Sequence, residues 1–257
     1  MPLDRREFLH AAGVGAMAGA LPPGLLRATP GTRPIKAVAF DAFPIFDPRP
    51  VFALAETLFP GKGTELGNAW KARQFEYQWL RALGGRYVDF WRATEDALVF
   101  AGRQIPVELT EEKRTQLMNA YRELKAWPDV PAALAALKGA GIRLAFLSNM
   151  TEALLDAGIR NAGLSGLFER VLSTDAVRAY KPDPRAYRLG IDALGLKKEE
   201  ILFAPFAGWD VAGAKWFGYP TFWVNRAGAP EEQLGVSPDG AGRDLNALAA
   251  FVGVETV

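Results

Sequence analysis

The sequence predicts an α/β protein, a doubly wound parallel sheet that carries an inserted α-helical cap. Short apolar runs without helix caps, the first at residues 35–40, read as buried parallel strands. After Pro131 helices and strands alternate, with Gly141, Gly163, Gly195 and Gly218 at the stops where a helix turns back into a strand. Between the first strand and that alternation lies a long block of helical character, residues 51–127, which reads as a domain inserted into the sheet.

The elements follow in order. After the first strand the chain turns through Pro44, Pro48 and Pro50. Helices are expected at 65–83, 87–101 and 110–124, the last opened by Thr110 before Glu111 and Glu112. A helix ending at Ala140 then leads to a strand at 143–147, a helix at 152–162 and a strand near 171–173. A helix at 184–194, a strand at 201–204, a helix at 211–217 and a strand at 221–224 complete the alternation. Residues 29–47 and 128–257 form the core domain on this reading, and 48–127 form the helical cap.

Residues 1–28 stand apart. Arg5 and Arg6 precede Phe8 and Leu9, and an Ala- and Gly-rich apolar stretch runs on to Leu21 before Pro22 and Pro23. This is the layout of a twin-arginine export signal, and it predicts a periplasmic or secreted bacterial protein. The apolar stretch is shorter than the roughly 20 residues that a transmembrane helix needs, so no membrane association is expected once the signal is removed. Without these residues 27 basic side chains face 27 acidic ones, because the segment removes three of 30 and two of 29. A neutral surface argues against nucleic acid as a partner.

The chain contains no Cys, and its one His, His10, lies in the expected signal. Nucleophilic triads and zinc sites built on those residues are thereby excluded, and no cofactor is implied. Chemistry falls to the residues just past each strand, because a parallel sheet gathers its reactive groups at the carboxyl edge. These are Asp41, Ser148 with Asn149, Lys181, and Asp210. Each has an ordinary alternative: Ser148, Asn149 or Asp210 as helix caps, and Lys181 as a surface lysine. Such residues at all four strand ends favour a shared site.

The order strand-Asp, Ser-Asn, Lys-Pro-Asp, strand-Asp resembles the haloacid dehalogenase superfamily, with its Rossmann-like core. The stretches AWKARQFEYQWLRALGGRYVDFWRATEDAL, LAFLSN, VRAYKPDPRAYRLGIDALGL and WDVAGAKWFGYPTFWVNR are similar to its type II branch, the L-2-haloacid dehalogenases. The resemblance implies metal-free hydrolysis of small 2-haloacids through an ester on Asp41, with a homodimer as the family expectation. Phosphatases of the superfamily carry a second Asp two positions after the nucleophile, whereas this chain has Phe43 there and Asp210 as the only acid of PFAGWDVAGA. A leaving halide needs no proton, so both absences fit carbon rather than phosphorus as the target.

Roles carried over from the resemblance are specific. Lys181 would pair with the Asp41 carboxylate by opposite charge, Ser148 would face the substrate carboxylate and Asn149 the halide. Tyr187 would orient the Lys181 region. Asp210 would activate the hydrolytic water or hold Lys181, while Phe90 and Trp209 would wall the pocket or serve simply as core.

The chain also departs from the family pattern. The family's Gly-Thr-Leu-Phe-Asp is one residue shorter here and lacks the Thr, and Pro44 brings no N–H. Lys71 stands where the family has an Arg that contacts halide and carboxylate, which loses the planar fork; Arg73, two residues on, would project from a different helical face, and a small rotation of the helix would bring it to the substrate and halide. Pro205, Phe206 and Ala207 replace a Ser-Ser-Asn. Two further readings therefore stand beside the dehalogenase: an Asp41-ester hydrolase of another substrate, or an exported binding protein of the same fold.

Overall fold

A computed structural model describes residues 35–256, so the expected export signal lies outside the described residues. A four-stranded parallel sheet forms the centre, in the order β5 (Arg170–Ser173), β4 (Arg143–Ser148), β1 (Ala37–Phe40) and β6 (Ile201–Ala204). Beyond β6 the chain is joined through a bridge between Phe203 and Thr221 to β7 (Phe222–Val224), which pairs in parallel with β8 (Gly240–Gly242).

Both faces of the sheet are covered, which is why its strands read as continuous apolar runs. Alternate residues go to opposite faces. Val38, Phe40, Leu144, Phe146, Leu202 and Ala204 join one core cluster, together with residues of α5 (Val130–Gly139), α6 (Glu152–Asn161) and α9 (Leu245–Phe251). Ala37, Ala39, Ala145, Leu147, Ile201 and Phe203 join the other, beneath α7 (Pro184–Leu194) and α8 (Gly208–Phe217). Each fully buried leucine or phenylalanine contributes about 1.5–3 kcal/mol.

Between β1 and β4 the chain forms α1 (Arg49–Leu58), α2 (Gly63–Leu83), α3 (Phe90–Gln104) and α4 (Glu111–Ala120). This helical layer is entered and left through a two-residue antiparallel ribbon, β2 (Phe46–Asp47) with β3 (Lys125–Ala126). Pro50 lies in the first turn of α1, where its missing N–H costs nothing. Helix α3 begins three residues later than expected. Asp89 accepts a hydrogen bond from the Arg92 N–H and sets the cap there, leaving Tyr87 and Val88 outside the helix. Trp70 of α2 donates through Nε1 to the Thr94 carbonyl of α3 at 2.8 Å, locking the two longest helices together.

Candidate active site

The residues past the strand ends meet in one place. Asp41 follows β1 directly and its N–H donates to the Ala204 carbonyl of β6 at 3.0 Å, which fixes the start of the loop. That loop is short and braced on all sides. Ile45 and Phe46 N–H groups donate back to the Ala42 carbonyl, Trp127 Nε1 donates to the Phe43 carbonyl, and Arg226 donates twice to the Pro44 carbonyl. Arg226 is itself held by Asp129 through two hydrogen bonds of 2.9 Å. Pro44 therefore lacks a donor but is anchored through its acceptor.

Lys181 is buried, not a surface lysine. Its Nζ lies 2.9 Å from Asp41 Oδ1 and 2.5 Å from Asp210 Oδ2, and both Lys181 and Asp210 side chains are only 1% exposed. Tyr187 donates from its hydroxyl to Asp210 Oδ1 at 2.7 Å. Ser148, the last residue of β4, donates to Asp41 Oδ1 at 3.1 Å. The capping alternatives are not what the chain uses: Thr151 caps α6, and Asp210 lies inside the first turn of α8. Gly213 of α8 keeps this arrangement open, since a Cβ there would collide with the Tyr187 hydroxyl and with Pro182.

Burial opposes the charge on Lys181, but Asp210 and Asp41 outweigh it and hold the ammonium above its ordinary pKa. Burial pushes Asp210 up to about 6 against the pull of Lys181, with the Asp41 charge adding to the rise. Burial, reinforced by Asp210, raises Tyr187 well above the usual phenol range. The geometry is that of one ammonium clamped between two carboxyl groups. Removing one partner from such a buried set typically costs about 3–5 kcal/mol.

In front of Asp41 opens a cavity of about 310 Å³ whose polar rim includes Lys71, Gln74, Gln78, Ser148 and Asn149. Its walls are largely aromatic, with Phe43, Phe52, Phe75, Phe90, Phe206 and Trp209. Trp209 meets Trp79 and Phe75 edge-on at 5.3 and 5.5 Å, so residues of α2 and α8 close one side together. Trp79 also donates to the Lys181 carbonyl at 3.2 Å, tying the helical layer to the loop that carries the lysine.

Of the residues expected from sequence, Asp41, Ser148, Asn149, Lys71, Phe90 and Trp209 line the cavity. Lys181, Asp210 and Tyr187 form the layer behind Asp41. Arg73 is not brought in: its guanidinium pairs with Glu76 at 2.7 Å and lies over the Phe100 ring at 4.0 Å. Two residues advance a helix by about 200°, so Arg73 faces away from the side that Lys71 occupies. Sequence reasoning passed over Gln78, Thr174, Phe75 and Trp79. A signal for Gln78 existed, because the buried positions of α2 run Gly63, Leu66, Gly67, Trp70, Gln74, Gln78 at helical spacing, with two glutamines continuing an apolar stripe.

Fold and site together define a hydrolase with a carboxylate nucleophile at the end of a parallel strand. The family model described as haloacid dehalogenase-like hydrolase matches residues 32–218. The chain is 43% identical over 215 residues to an (S)-2-haloacid dehalogenase of Pseudomonas sp. strain YL, covering 83% of this chain and 93% of that protein. It therefore belongs to the haloacid dehalogenase-like hydrolases, and within them it is L-2-haloacid dehalogenase-like. A crystal structure of an L-2-haloacid dehalogenase superposes with a TM-score of 0.84 at 43% identity, covering 86% of this chain and all of the other. The L-2-haloacid dehalogenase of Xanthobacter autotrophicus, solved with chloropropionic acid covalently bound, superposes with a TM-score of 0.78 at 36% identity, over 85% of this chain and 98% of that one.

Proposed function

We infer that this protein hydrolyses the carbon–halogen bond of short 2-haloalkanoic acids, giving 2-hydroxy acids by way of an ester on Asp41. The observation that carries this reading is the asymmetry of the Asp41 carboxylate. Oδ1 accepts from both Lys181 and Ser148, whereas Oδ2 accepts no hydrogen bond among the described residues, and the side chain is 14% exposed at the cavity. One oxygen is held and the other is free to attack.

Asp41 Oδ2 forms a bond to the halogen-bearing carbon as the carbon–halogen bond breaks, and the electron pair leaves with the halide. Water then adds to the Asp41 carboxyl carbon. The hydroxy acid departs with the Asp41 oxygen, and the carboxylate is regenerated with loss of one proton. The aromatic walls keep bulk water from the ester bond until it has formed. Lys71 supplies the cation at the cavity for the substrate carboxylate. Asp210 does not line the cavity, so of its two expected roles the holding of Lys181 fits its position. Tyr187 supports it from behind.

The test is halide release from 2-chloropropionate and bromoacetate without added metal. Release by the parent that disappears in Asp41→Asn supports the reading, and release that persists in the variant overturns the nucleophile. A parent that releases no halide yet gains thermal stability with small carboxylates would favour a binding protein of the same fold.

We also propose that the protein is exported through the twin-arginine route, on the Arg5-Arg6 pair and the apolar stretch that follows it. Replacing both arginines with lysine should retain the chain in the cytoplasm. Unchanged export of that variant would remove the proposal.

A further inference from the structure

Gln78 is fully buried on α2, and its Nε2 is the one buried side-chain polar atom without a hydrogen-bond partner among the described residues. Its orientation is set by a chain of contacts. Asn149 Oδ1 accepts from the Lys181 N–H at 3.0 Å and from Thr174 Oγ1 at 3.2 Å, so Asn149 must present Nδ2 on its other side. Nδ2 donates to Gln78 Oε1 at 3.1 Å. Turning the Gln78 amide over would set two NH₂ groups against each other, so Nε2 stays a donor with both N–H bonds unused.

Buried donors are nearly always paired, and an unpaired one is costly unless something arrives to accept from it. Gln78 lines the cavity in front of Asp41, beside Asn149, and shares that lining with Phe75 and Trp209. Displacement from the rear sends the leaving group away from Asp41, so the departing halide must be received on the opposite wall. Asp41 belongs to the sheet and Gln78 to the helical layer above it. A pair of neutral amides among aromatic side chains suits a large, weakly hydrated monoanion, while the carboxylate of the substrate is matched by the charge of Lys71.

We propose that Gln78 is a halide-binding residue, donating through Nε2 to the anion that leaves the substrate carbon, next to Asn149. This rests on the dehalogenase reading given above. It explains how the site functions with Lys71 in place of a guanidinium: donors lost from the forked cation are replaced by an amide about two turns further along the same helix.

Two variants test it. Gln78→Met removes both N–H donors at similar size, and Gln78→Glu keeps an acceptor for Asn149 while adding a negative charge. Chloride and bromide binding is read by chlorine NMR line-broadening and bromide displacement, which need no turnover. The hydroxy-acid product serves as the control ligand and the thermal midpoint as the check on folding. Chloride binding should weaken about 10-fold in Gln78→Met and further in Gln78→Glu, with product binding within about twofold of the parent. In Gln78→Met kcat/KM should fall more for 2-chloropropionate than for 2-bromopropionate, since the smaller halide depends more on donated hydrogen bonds. Chloride binding unchanged in Gln78→Met, or chloride and product weakened in parallel, overturns the inference. A parent that binds chloride through Gln78 but releases no halide would instead overturn the dehalogenase reading alone.

Discussion

The back and the front of this cavity are built on opposite principles. Behind Asp41, Lys181, Asp210 and Tyr187 form a buried chain of short hydrogen bonds with few unused donors or acceptors. In front, the wall is mostly aromatic, and Phe206 and Ala207 stand where the family pattern has a hydroxyl and an amide. Phe206 packs edge-on against Phe43 at 5.9 Å, filling space that polar groups would otherwise hold. The difference teaches that the two chemical steps are supported unequally. The back serves formation of the ester, which needs an anchored carboxylate. The front receives the halide and must also orient the water that hydrolyses the ester, and there Phe206 and Ala207 offer no polar side chain.

Breaking the back should have the largest effect. Lys181→Met leaves Asp41 and Asp210 without their shared cation and should lower kcat/KM about 1,000-fold. It should also destabilise the fold by about 3–5 kcal/mol, because Asp210 is left buried and unpaired. Adding Asp210→Asn should recover stability and not activity. Denaturant unfolding and halide release separate the two effects, and recovery of activity in the double variant would break the contrast.

Acidity acts on the same group with a smaller effect. Asp210 is raised from 3.8 to about 6, so the folded state holds an extra proton between those values, and this residue's contribution to stability declines as pH rises across that window. Activity runs the other way, since only the ionised Asp210 pairs with Lys181. Below about pH 6 kcat should fall roughly tenfold per unit. Lys181, raised above 10.5, stabilises the fold below that value and loses its contribution only as pH rises through its higher folded pKa. The pH profile should therefore be flat from about 7 into the alkaline range, and a plateau extending unchanged below pH 5 would contradict the assignment of Asp210.

The front offers the smallest and most informative change. If hydrolysis is the less supported step, the parent should release halide in a burst followed by a slower steady rate. Ala207→Asn restores an amide at the cavity wall and should shrink the burst and speed the steady phase about 3- to 10-fold. A parent without a burst would show that the aromatic front does not limit turnover.

Much of the fold was legible because its signals are local. Glycines at helix stops and uncapped apolar runs mark the alternation after Pro131, and both faces of the sheet demand apolar strands. The ribbon of Phe46–Asp47 with Lys125–Ala126 was not, since two residues carry no periodicity and their pairing spans the whole helical layer. Strand Gly240–Gly242 reads GAG, without the branched or aromatic residues that announce a strand. In the site, Asp41, Ser148, Asn149 and Asp210 were legible from their place at strand ends. Gln78, Trp79 and Thr174 come from tertiary approach of α2 and of the loop before Lys181, which no strand-end argument reaches. Arg73 stays on the helical face that its two-residue offset from Lys71 dictates, without the rotation that would have brought it in, so Lys71 lines the cavity and it does not.

The central claim is that an Asp41 oxygen leaves in the product. A single turnover with enzyme in excess, run in ¹⁸O-labelled water, tests it most directly by mass spectrometry of the hydroxy acid and of the peptide bearing Asp41. The account predicts an unlabelled hydroxyl in the product and one heavy oxygen in Asp41. Label in the product with none in Asp41 would mean that water attacks the substrate carbon directly, and would contradict it.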